Sequence, residues 1–425
     1  MNSTATPTLG ILVGGGPAPG INGVIHAATI SAINNGMNVL GIYEGFKSLI
    51  AGKITAAPLT IDDVSRIYRL GGSVLRTARA NPTTSDAALT KCVNTLLDNG
   101  VTHLIGIGGD DTAHSVRRVS EQSQAMGRPI PSAHVPKTID NDLPLPEGVP
   151  TFGFETAREV GTRLTMNMME DARTNPGWFL VVAMGRHAGH LALGIGKSAG
   201  ATVTIIAEEW RGRPIRLQHV VDILATSILR RLAEGRGYGV AMIAEGIVEQ
   251  LAKEDQKLLD GAELDEHNHI RLAEVNFSDI LKKEVAQTLA SVGTKMRLVD
   301  KELGYELRCA DPIAFDIDYT VGLGQGAADF LARGGSGATI TIQNGQVVPV
   351  PFDEYVDSAT GRTRVRMVNV DSSLYHSAHR FMIRLKPEHA RDEAFMARMA
   401  AQTKLSPSDF VARFGYLIGI APRPY

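Results

Sequence analysis

The sequence predicts an α/β protein of two Rossmann-like domains, each with a parallel-rich sheet flanked by helices. A length of 425 residues exceeds one ordinary domain and leaves two domains enough residues for separate cores. Short apolar stretches alternate with helical patterns, which is the rhythm of repeated βαβ units. The composition, 44% hydrophobic and 21% charged, is that of a soluble globular protein.

The first domain is predicted over residues 1–150. Its first strand ends in the glycines that begin at Gly14, and a helical apolar pattern follows and stops at Asn35-Gly36. Further strands are predicted in three short stretches that end in loop residues, namely 38–45, 102–111 and 130–142. Ligands bind outside the carboxyl ends of such parallel strands, so the segments that follow them are candidate sites.

The second domain is predicted over residues 151–308. Its strands are expected within 178–186, 201–209 and 238–246. The polar stretch near 251–275 has no strand character and indicates a surface insertion. Beyond it, Asn344-Gly345 between two β-rich runs predicts a hairpin, and a helical C-terminal tail follows. We assign part of about 309–370 to the first domain and the tail to the second.

Composition and charge narrow the function classes. The net charge of -2 gives no basic surface for nucleic acid. Cys92 and Cys309 lie far apart and form no zinc or CxxC pattern, as in reduced cytosolic proteins. No apolar run reaches the roughly 18 residues of a spanning helix, and the N-terminus lacks the basic start of a signal peptide. We therefore expect a cytoplasmic protein that binds neither nucleic acid nor membrane.

The glycine-rich segment 14–22 follows the first strand and opens a helix. Its backbone N–H groups could hold a phosphate at the helix N-terminus, or the segment could be a tight strand-to-helix turn only. The spacing departs from GxGxxG, and no acidic residue ends the second strand cleanly. A dinucleotide-dependent oxidoreductase is therefore disfavoured.

Two further strand ends carry acidic residues. Asp110 and Asp111 follow paired glycines, and a helix N-cap needs only one of them. The other carboxylate suits Mg²⁺, which commonly binds one carboxylate and substrate phosphates. Lys137, Asp140 and Asp142 follow the next strand. Four carboxylates and a lysine gathered in this way are costly unless a cation or phosphate chemistry uses them.

Weaker signals lie in the second half of the chain. Arg186 follows a strand and could reach a phosphoryl group, whereas His187 and His190 are more often ordinary polar residues of a helix start. Glu245, Tyr305 and Arg308 each give little information alone.

Together these segments resemble the phosphofructokinase family over residues 9–330. The matching strings, in order after the glycine turn, are LRTARANP, GGDDT, PKTIDND, MGR, AEG and LGYELRCADP. The resemblance implies the phosphofructokinase fold, with the active site in the cleft between two α/β domains. Members that use ATP carry glycine where this sequence has Asp111 and Lys137, and Asp and Lys at these positions mark the pyrophosphate-dependent branch.

The resemblance therefore implies reversible phosphoryl transfer from pyrophosphate to the 1-hydroxyl of fructose 6-phosphate, with Mg²⁺ as cofactor. It implies a donor- and Mg²⁺-binding first domain, a sugar-phosphate-binding second domain, and a homo-oligomer, either a dimer or a tetramer. An ATP-dependent 6-phosphofructokinase is the alternative within the fold. A catalytically silent, sugar-phosphate-binding subunit is the alternative from another class, and the intact Asp110, Asp140 and Arg186 argue against it.

The roles implied for single residues follow the matching strings. Asp140 resembles the general base, and Asp110 resembles the Mg²⁺ ligand. The residues matched to the donor are Gly16, Arg79, Asp111 and Lys137, of which Asp111 and Lys137 are also counted as catalytic. The residues matched to the sugar phosphate are Thr138, Asp140, Met184, Gly185, Arg186, Glu245, Tyr305 and Arg308. Tyr305 replaces a histidine of the short bacterial ATP enzymes, and Pro17 stands where many members have Asp.

Electrostatics gives a physical reason for the paired aspartates. A carboxylate of Asp111 about 4 Å from a nucleotide α-phosphate would repel it by about 4 kcal/mol at an effective dielectric near 20. That repulsion would weaken ATP binding by about three powers of ten, whereas pyrophosphate has no third phosphate to repel. Lys137 would place a compact positive charge beside the leaving phosphate. A merely structural ion pair between Asp111 and Lys137 is the simpler alternative.

Overall fold

The computed structural model describes residues 6–259, 275–355 and 364–423. The chain forms two compact units. Unit 1 comprises Met1–Ala157 and Tyr305–Arg366, and unit 2 comprises Arg158–Gly304 and Met367–Tyr425. Tyr305 and Arg308, which the sequence division put in the second domain, thus belong to unit 1. The chain leaves unit 2 at Gly304, directly after a strand that the sequence patterns did not reveal.

The strands of the described residues are numbered in chain order. They are β1 (Thr8–Val13), β2 (Asn38–Ile42), β3 (Ala56–Pro58), β4 (His103–Gly108), β5 (Ser132–Thr138), β6 (Phe152–Gly153), β7 (Trp178–Ala183), β8 (Val203–Ile205), β9 (Gly239–Ala244), β10 (Leu298–Leu303), β11 (Ala338–Gln343) and β12 (Gln346–Pro351).

The α-helices of the same residues are numbered likewise. They are α1 (Ile21–Asn34), α2 (Lys47–Ile50), α3 (Ile61–Val64), α4 (Asp86–Asp98), α5 (Asp110–Ala125), α6 (Phe154–Thr174), α7 (His190–Ala199), α8 (Leu217–Ala233), α9 (Phe277–Ser291), α10 (Tyr305–Arg308), α11 (Ala314–Ala332), α12 (Ser373–Phe381), α13 (Glu393–Ala400) and α14 (Pro407–Phe414). None of the helices in the described ranges is both long and apolar enough to cross a bilayer.

The sheet of unit 1 has the order β12-β11-β5-β4-β1-β2-β3, with β6 paired to β5. The pairings from β11 to β2 are parallel, and β12 and β3 add antiparallel edges. In register, Val13 pairs with Ile107, and Gly108 pairs with Pro136. The segments that follow β1, β4 and β5 therefore leave the sheet side by side, at the carboxyl ends of these strands.

Helices cover both faces of this sheet because its central strands are apolar on both sides. Ile11 and Val13 belong to a core with α1 and α11, whereas Leu12 belongs to a core with α4 and α5. The predicted hairpin is confirmed, since Gln343 pairs with Gln346 across Asn344-Gly345. Both turn residues have positive φ, 51° and 74°, as a type I′ turn requires.

The sheet of unit 2 is parallel, in the order β10-β7-β9-β8. Its core contains Trp178 and the apolar face of α8, and the tail helices α13 and α14 complete it with Met399, Phe410 and Phe414. Asp222 on α8 is fully buried and accepts two hydrogen bonds from Arg413, at 2.6 and 2.8 Å. The C-terminal tail is therefore an integral part of unit 2. Most of the predicted surface insertion, residues 260–274, lies outside the described residues.

Candidate active site

The glycine turn after β1 is held by backbone hydrogen bonds from two directions. The N–H of Gly14 donates to the carbonyl of Ile107 at 2.9 Å, and the N–H of Gly15 donates to that of Ala78 at 2.9 Å. A side chain at Gly14 would overlap Thr112 in the first turn of α5. The turn is thus fixed against β4 and α5, and only glycine fits this position.

Lys137 reaches the glycine turn from the end of β5. Its side chain is buried, and its Nζ donates to the carbonyl of Gly16 at 2.5 Å. A Cβ at Gly15 would lie 3.2 Å from the same Nζ. A buried ammonium is costly without acceptors, so this carbonyl stabilises it. The arrangement places a positive charge inside the turn that the sequence matched to the donor.

Asp110 and Asp111 are the first two residues of α5, and the N-cap is Gly109, which provides no side-chain cap. The alternative that one aspartate serves as the N-cap is therefore wrong, because the helix begins one residue earlier than that role requires. Both carboxylates lie at the positive end of the helix dipole.

The carboxylate oxygens of Asp110 and Asp111 are of the kind that Mg²⁺ prefers as ligands. No group of three or more potential ligands forms a ready metal cage among the described residues. Mg²⁺ needs no such cage, since it commonly takes one or two carboxylates together with phosphates and water. Carboxylate oxygens at the head of α5, beside a turn suited to phosphates, fit that mode of binding.

His134 lies behind this helix start. It is fully buried in β5, with Nε2 2.8 Å from the carbonyl oxygen of Gly108 and Nδ1 3.1 Å from Oγ1 of Thr339. Burial lowers the pKa of His134 to about 4, so the ring is neutral. With one ring proton, this network assigns Nε2 as donor to Gly108 and Nδ1 as acceptor from Thr339. His134 thereby fixes the backbone just before Asp110.

Asp140 lies in a turn that Thr138 organises. Its N–H donates to Oγ1 of Thr138 at 3.0 Å, and the hydroxyl of Thr151 donates to the carbonyl of Thr138 at 2.8 Å. The next residue, Asn141, has a φ of 56°, in the left-handed region. The carboxylate of Asp140 is therefore carried by a defined, tightly bonded turn at the edge of the sheet.

Arg308 joins this group from α10. A Cβ at Gly16 would overlap its guanidinium, and Tyr305 lies with its ring centroid 5.4 Å from Arg308 Cζ. Burial lowers the pKa of Arg308, and the charge of Arg79 lowers it further, whereas Asp140 acts in the opposite sense. Unit 1 thus brings Arg308, matched to the sugar phosphate, against Gly16, matched to the donor.

The segment after β7 in unit 2 has an unusual backbone. Gly185 has a φ of 157° and Arg186 a φ of 50°. Their two N–H groups donate to the same oxygen of Glu245, Oε1, at 2.9 and 2.7 Å. Glu245 is buried at the end of β9, so its carboxylate fixes the conformation of the Met184–Arg186 segment.

Two more contacts hold the residues that follow. The carboxylate of Glu249 contacts Nδ1 of His187, and Oε1 of Glu208 accepts the N–H of Gly189 at 2.8 Å and that of Val368 at 3.0 Å. Burial raises the pKa of Glu208, against the lowering effect of these donors. His190 is the first residue of α7.

The comparisons with known proteins cover most of the chain. Residues 8–331 match the family model described as Phosphofructokinase. The chain is 49% identical to the pyrophosphate--fructose 6-phosphate 1-phosphotransferase of Thermotoga maritima, over 96% of this chain and 97% of that protein. This chain belongs to the phosphofructokinase family. The recognition of the family from its motifs is confirmed.

Other relatives of this phosphofructokinase bear two kinds of name. The pyrophosphate--fructose 6-phosphate 1-phosphotransferase of Naegleria fowleri is 48% identical over 97% of this chain and 96% of that protein. The ATP-dependent 6-phosphofructokinase of Mycobacterium tuberculosis H37Rv is 31% identical over 82% of this chain and 94% of that protein. A solved pyrophosphate-dependent phosphofructokinase from Nitrosospira multiformis superposes with a TM-score of 0.67 at 16% identity, covering 90% of this chain and 93% of that one. The predicted fold is confirmed.

Sequence reasoning missed the supporting residues of this phosphofructokinase. His134 could have been noticed as a histidine within an otherwise apolar strand, whereas the sequence around Glu208 gives no indication of its role. Glu245 was matched to the sugar-phosphate substrate, and its role in holding the Gly185 and Arg186 amides was not expected. That matched role stays a prediction.

Replacing Glu245 by Ala should free the amides of Gly185 and Arg186. Hydrogen bonds to a charged acceptor contribute about 1.5 to 3 kcal/mol, so amide exchange at both residues should accelerate by about one to two powers of ten. Hydrogen exchange followed by mass spectrometry or NMR measures this directly. Glu249→Ala, which loses only the contact with His187, is the matched control. Unchanged exchange in the Glu245 variant would contradict the anchoring role.

Proposed function

We propose that this phosphofructokinase transfers a phosphoryl group reversibly from pyrophosphate to the 1-hydroxyl of fructose 6-phosphate. The products are fructose 1,6-bisphosphate and phosphate, as in glycolysis and gluconeogenesis. The observation that carries the proposal is the buried Lys137 ammonium on the carbonyl of Gly16, together with Asp111 at the head of α5. Nearly full-length relatives at 49% and 48% identity bear the pyrophosphate-dependent name, whereas the ATP-dependent relatives cited are 31% identical.

Lys137 and Asp111 would select the donor by charge. The ammonium, held on the carbonyl of Gly16, would attract the phosphate that leaves when pyrophosphate is cleaved. Asp111 would repel the additional phosphate of a nucleotide. These two side chains, and the pyrophosphate-dependent names of the relatives at 49% and 48% identity, argue against the alternative of an ATP-dependent 6-phosphofructokinase.

Asp140 would act as the general base. Its carboxylate accepts the proton of the sugar 1-hydroxyl as the oxygen attacks the phosphoryl group in line. The bond from the Asp140 N–H to Thr138 limits the motion of the residue that carries this carboxylate. Arg186, in its left-handed conformation beside Glu245, would contact the transferring group, and Arg308 and Tyr305 would hold the 6-phosphate.

Asp110 would hold Mg²⁺ with the donor phosphates. When bound, the ion would neutralise charge on the donor oxygens. His134 keeps the Gly108 carbonyl in place, so the chain's part is to present the Asp110 carboxylate in a fixed position. We further propose that the enzyme is cytoplasmic and works as a homo-oligomer, either a dimer or a tetramer.

Replacing Asp140 by Ala should lower kcat by about 10² to 10⁴, which is the usual contribution of a positioned base. The KM values for pyrophosphate and sugar phosphate should stay close to those of the native enzyme. Steady-state kinetics in both directions measures this. Asp98→Ala, an exposed aspartate at the end of α4, is the control. Native turnover in a folded Asp140 variant would refute the base assignment.

Replacing Arg308 by Ala should raise the KM for fructose 6-phosphate steeply. A buried charge-assisted contact to a phosphate is worth about 2 to 5 kcal/mol when one partner is removed. The pyrophosphate KM should change little, and Arg333→Ala, an exposed arginine in unit 1, should change neither value. Because Arg308 also touches Gly16, a rise confined to the pyrophosphate KM would assign it to the donor instead.

Replacing Asp111 by Gly should let the enzyme use ATP weakly beside pyrophosphate. The change removes the carboxylate that repels the α-phosphate, whereas Lys137 still favours pyrophosphate. Adding Lys137→Gly should reduce pyrophosphate turnover sharply. The test is kcat/KM for both donors in the native enzyme, both single variants and the double variant. If the Asp111 variant neither uses ATP nor binds it better by calorimetry, the electrostatic account is wrong.

A further inference from the structure

The residue proposed as base lies in a long connection between β5 and β6, residues 139–151. Its apolar side chains, those of Leu143, Leu145 and Val149, pack with Val350 and Tyr355. The polar start of the connection, which contains Asp140, is outside this small core. Hydrogen bonds hold the backbone of Asp140–Asp142 instead, and the bond from the Asp140 N–H to Thr138 accounts for only the first of these residues.

Arg366 makes these contacts, from a position 225 residues further along the chain. Its Nε donates to the carbonyl of Asn141 at 3.1 Å, its Nη2 donates to Oδ1 of the same residue, and its Nη1 donates to the carbonyl of Val149 at 2.8 Å. Its own N–H donates to the carbonyl of Asp142 at 2.7 Å. One arginine thus joins the start of the connection to its end.

The geometry is specific to a guanidinium. Three nitrogens of the fork reach three acceptors on two separate parts of the chain, whereas a lysine has one nitrogen at this distance. Arg366 is partly buried, and burial lowers its pKa while the charge of Asp142 raises it. At the guanidinium, hydrogen bonds to these carbonyl groups therefore replace hydrogen bonds to water.

Asn141, the residue after Asp140, accepts two of the four hydrogen bonds described for Arg366. Asn141 has a φ of 56°, a conformation that persists only when its surroundings hold it. Arg366 bonds both the carbonyl and the side chain of Asn141, and the N–H of Thr151 donates to the same side chain at 3.1 Å. The direction in which the side chain of Asp140 extends from the backbone depends on this conformation.

We propose that Arg366 is a positioning residue for phosphoryl transfer, which fixes Asp140 through the left-handed backbone of Asn141. The inference rests on the proposed function, in which Asp140 is the base. In this role Arg366 acts through Asn141 rather than on the reacting groups. Its effect should fall on kcat, because a displaced base costs rate without weakening substrate contacts.

The first test compares Arg366→Met with Arg364→Met in the full-length enzyme. Arg364 lies two residues away, is exposed, and donates through its side chain to the carbonyl of Glu354 rather than to the Asp140 turn. We expect kcat of the Arg366 variant to fall about 10²-fold, with both KM values within about threefold of native. The Arg364 variant should match the native enzyme. Equal kcat in the two variants would overturn the proposal.

A double-variant cycle separates positioning from general loosening. If Arg366 acts through Asp140, Arg366→Met should lower the residual turnover of Asp140→Ala by less than about threefold, since the group it positions is gone. A further loss of about 10²-fold would show that Arg366 acts elsewhere and would overturn the proposal. Native turnover in Asp140→Ala itself would instead refute the base assignment, so the two failures are distinguishable.

Two milder variants cover the case in which Arg366→Met does not fold. Asn141→Gly keeps the positive φ but removes the side-chain acceptor, and Arg366→Lys keeps the charge but loses the fork. Each should lower kcat by about tenfold with little change in KM and with a far-UV circular dichroism spectrum like that of the native enzyme. Native kcat in both variants would overturn the proposal.

Discussion

The absence of side chains in the glycine turn is the constraint on which the site in unit 1 depends. Three different elements approach its backbone: Thr112 of α5 and Arg308 of α10 would overlap a Cβ at Gly14 and at Gly16, and Nζ of Lys137 in β5 would lie 3.2 Å from a Cβ at Gly15. The Lys137 ammonium then bonds the Gly16 carbonyl. The parallel register of β1, β4 and β5 brings these parts to one edge, and the glycines let them approach the backbone closely.

Buried carboxylates also accept hydrogen bonds from backbone N–H groups at several points of the fold. Glu245 holds Gly185 and Arg186, Glu208 holds Gly189 and Val368, and Asp316 accepts from the N–H groups of Gly153 and Thr156. Such amides lie at or beyond the ends of helices and strands and need acceptors when buried. Burial raises the pKa of Asp316, as it does that of Glu208, and the bound N–H groups oppose the shift.

The sequence predicted those parts of the fold that local patterns encode. The strands β1, β4 and β5 are apolar runs that end in loop residues, and the hairpin follows from Asn344-Gly345. Strand β10 was missed because its sequence, LVDKEL, is half charged. The supporting contacts could not be predicted, since Arg366 contacts Asn141 from 225 positions away in the sequence and no local pattern links the two. The motifs named the candidate residues, and the structure supplied what holds several of them.

The bond between Lys137 and the Gly16 carbonyl also limits how this donor site can change over evolutionary time. A glycine in place of Lys137 would take away a donor from a carbonyl in the turn and leave a space where the side chain lay. A glycine in place of Asp111 would instead remove a partly exposed side chain in the first turn of α5. The two substitutions are therefore not structurally equivalent: loss of the lysine disturbs the interior of the glycine turn, whereas loss of the aspartate changes a position that is partly open to solvent.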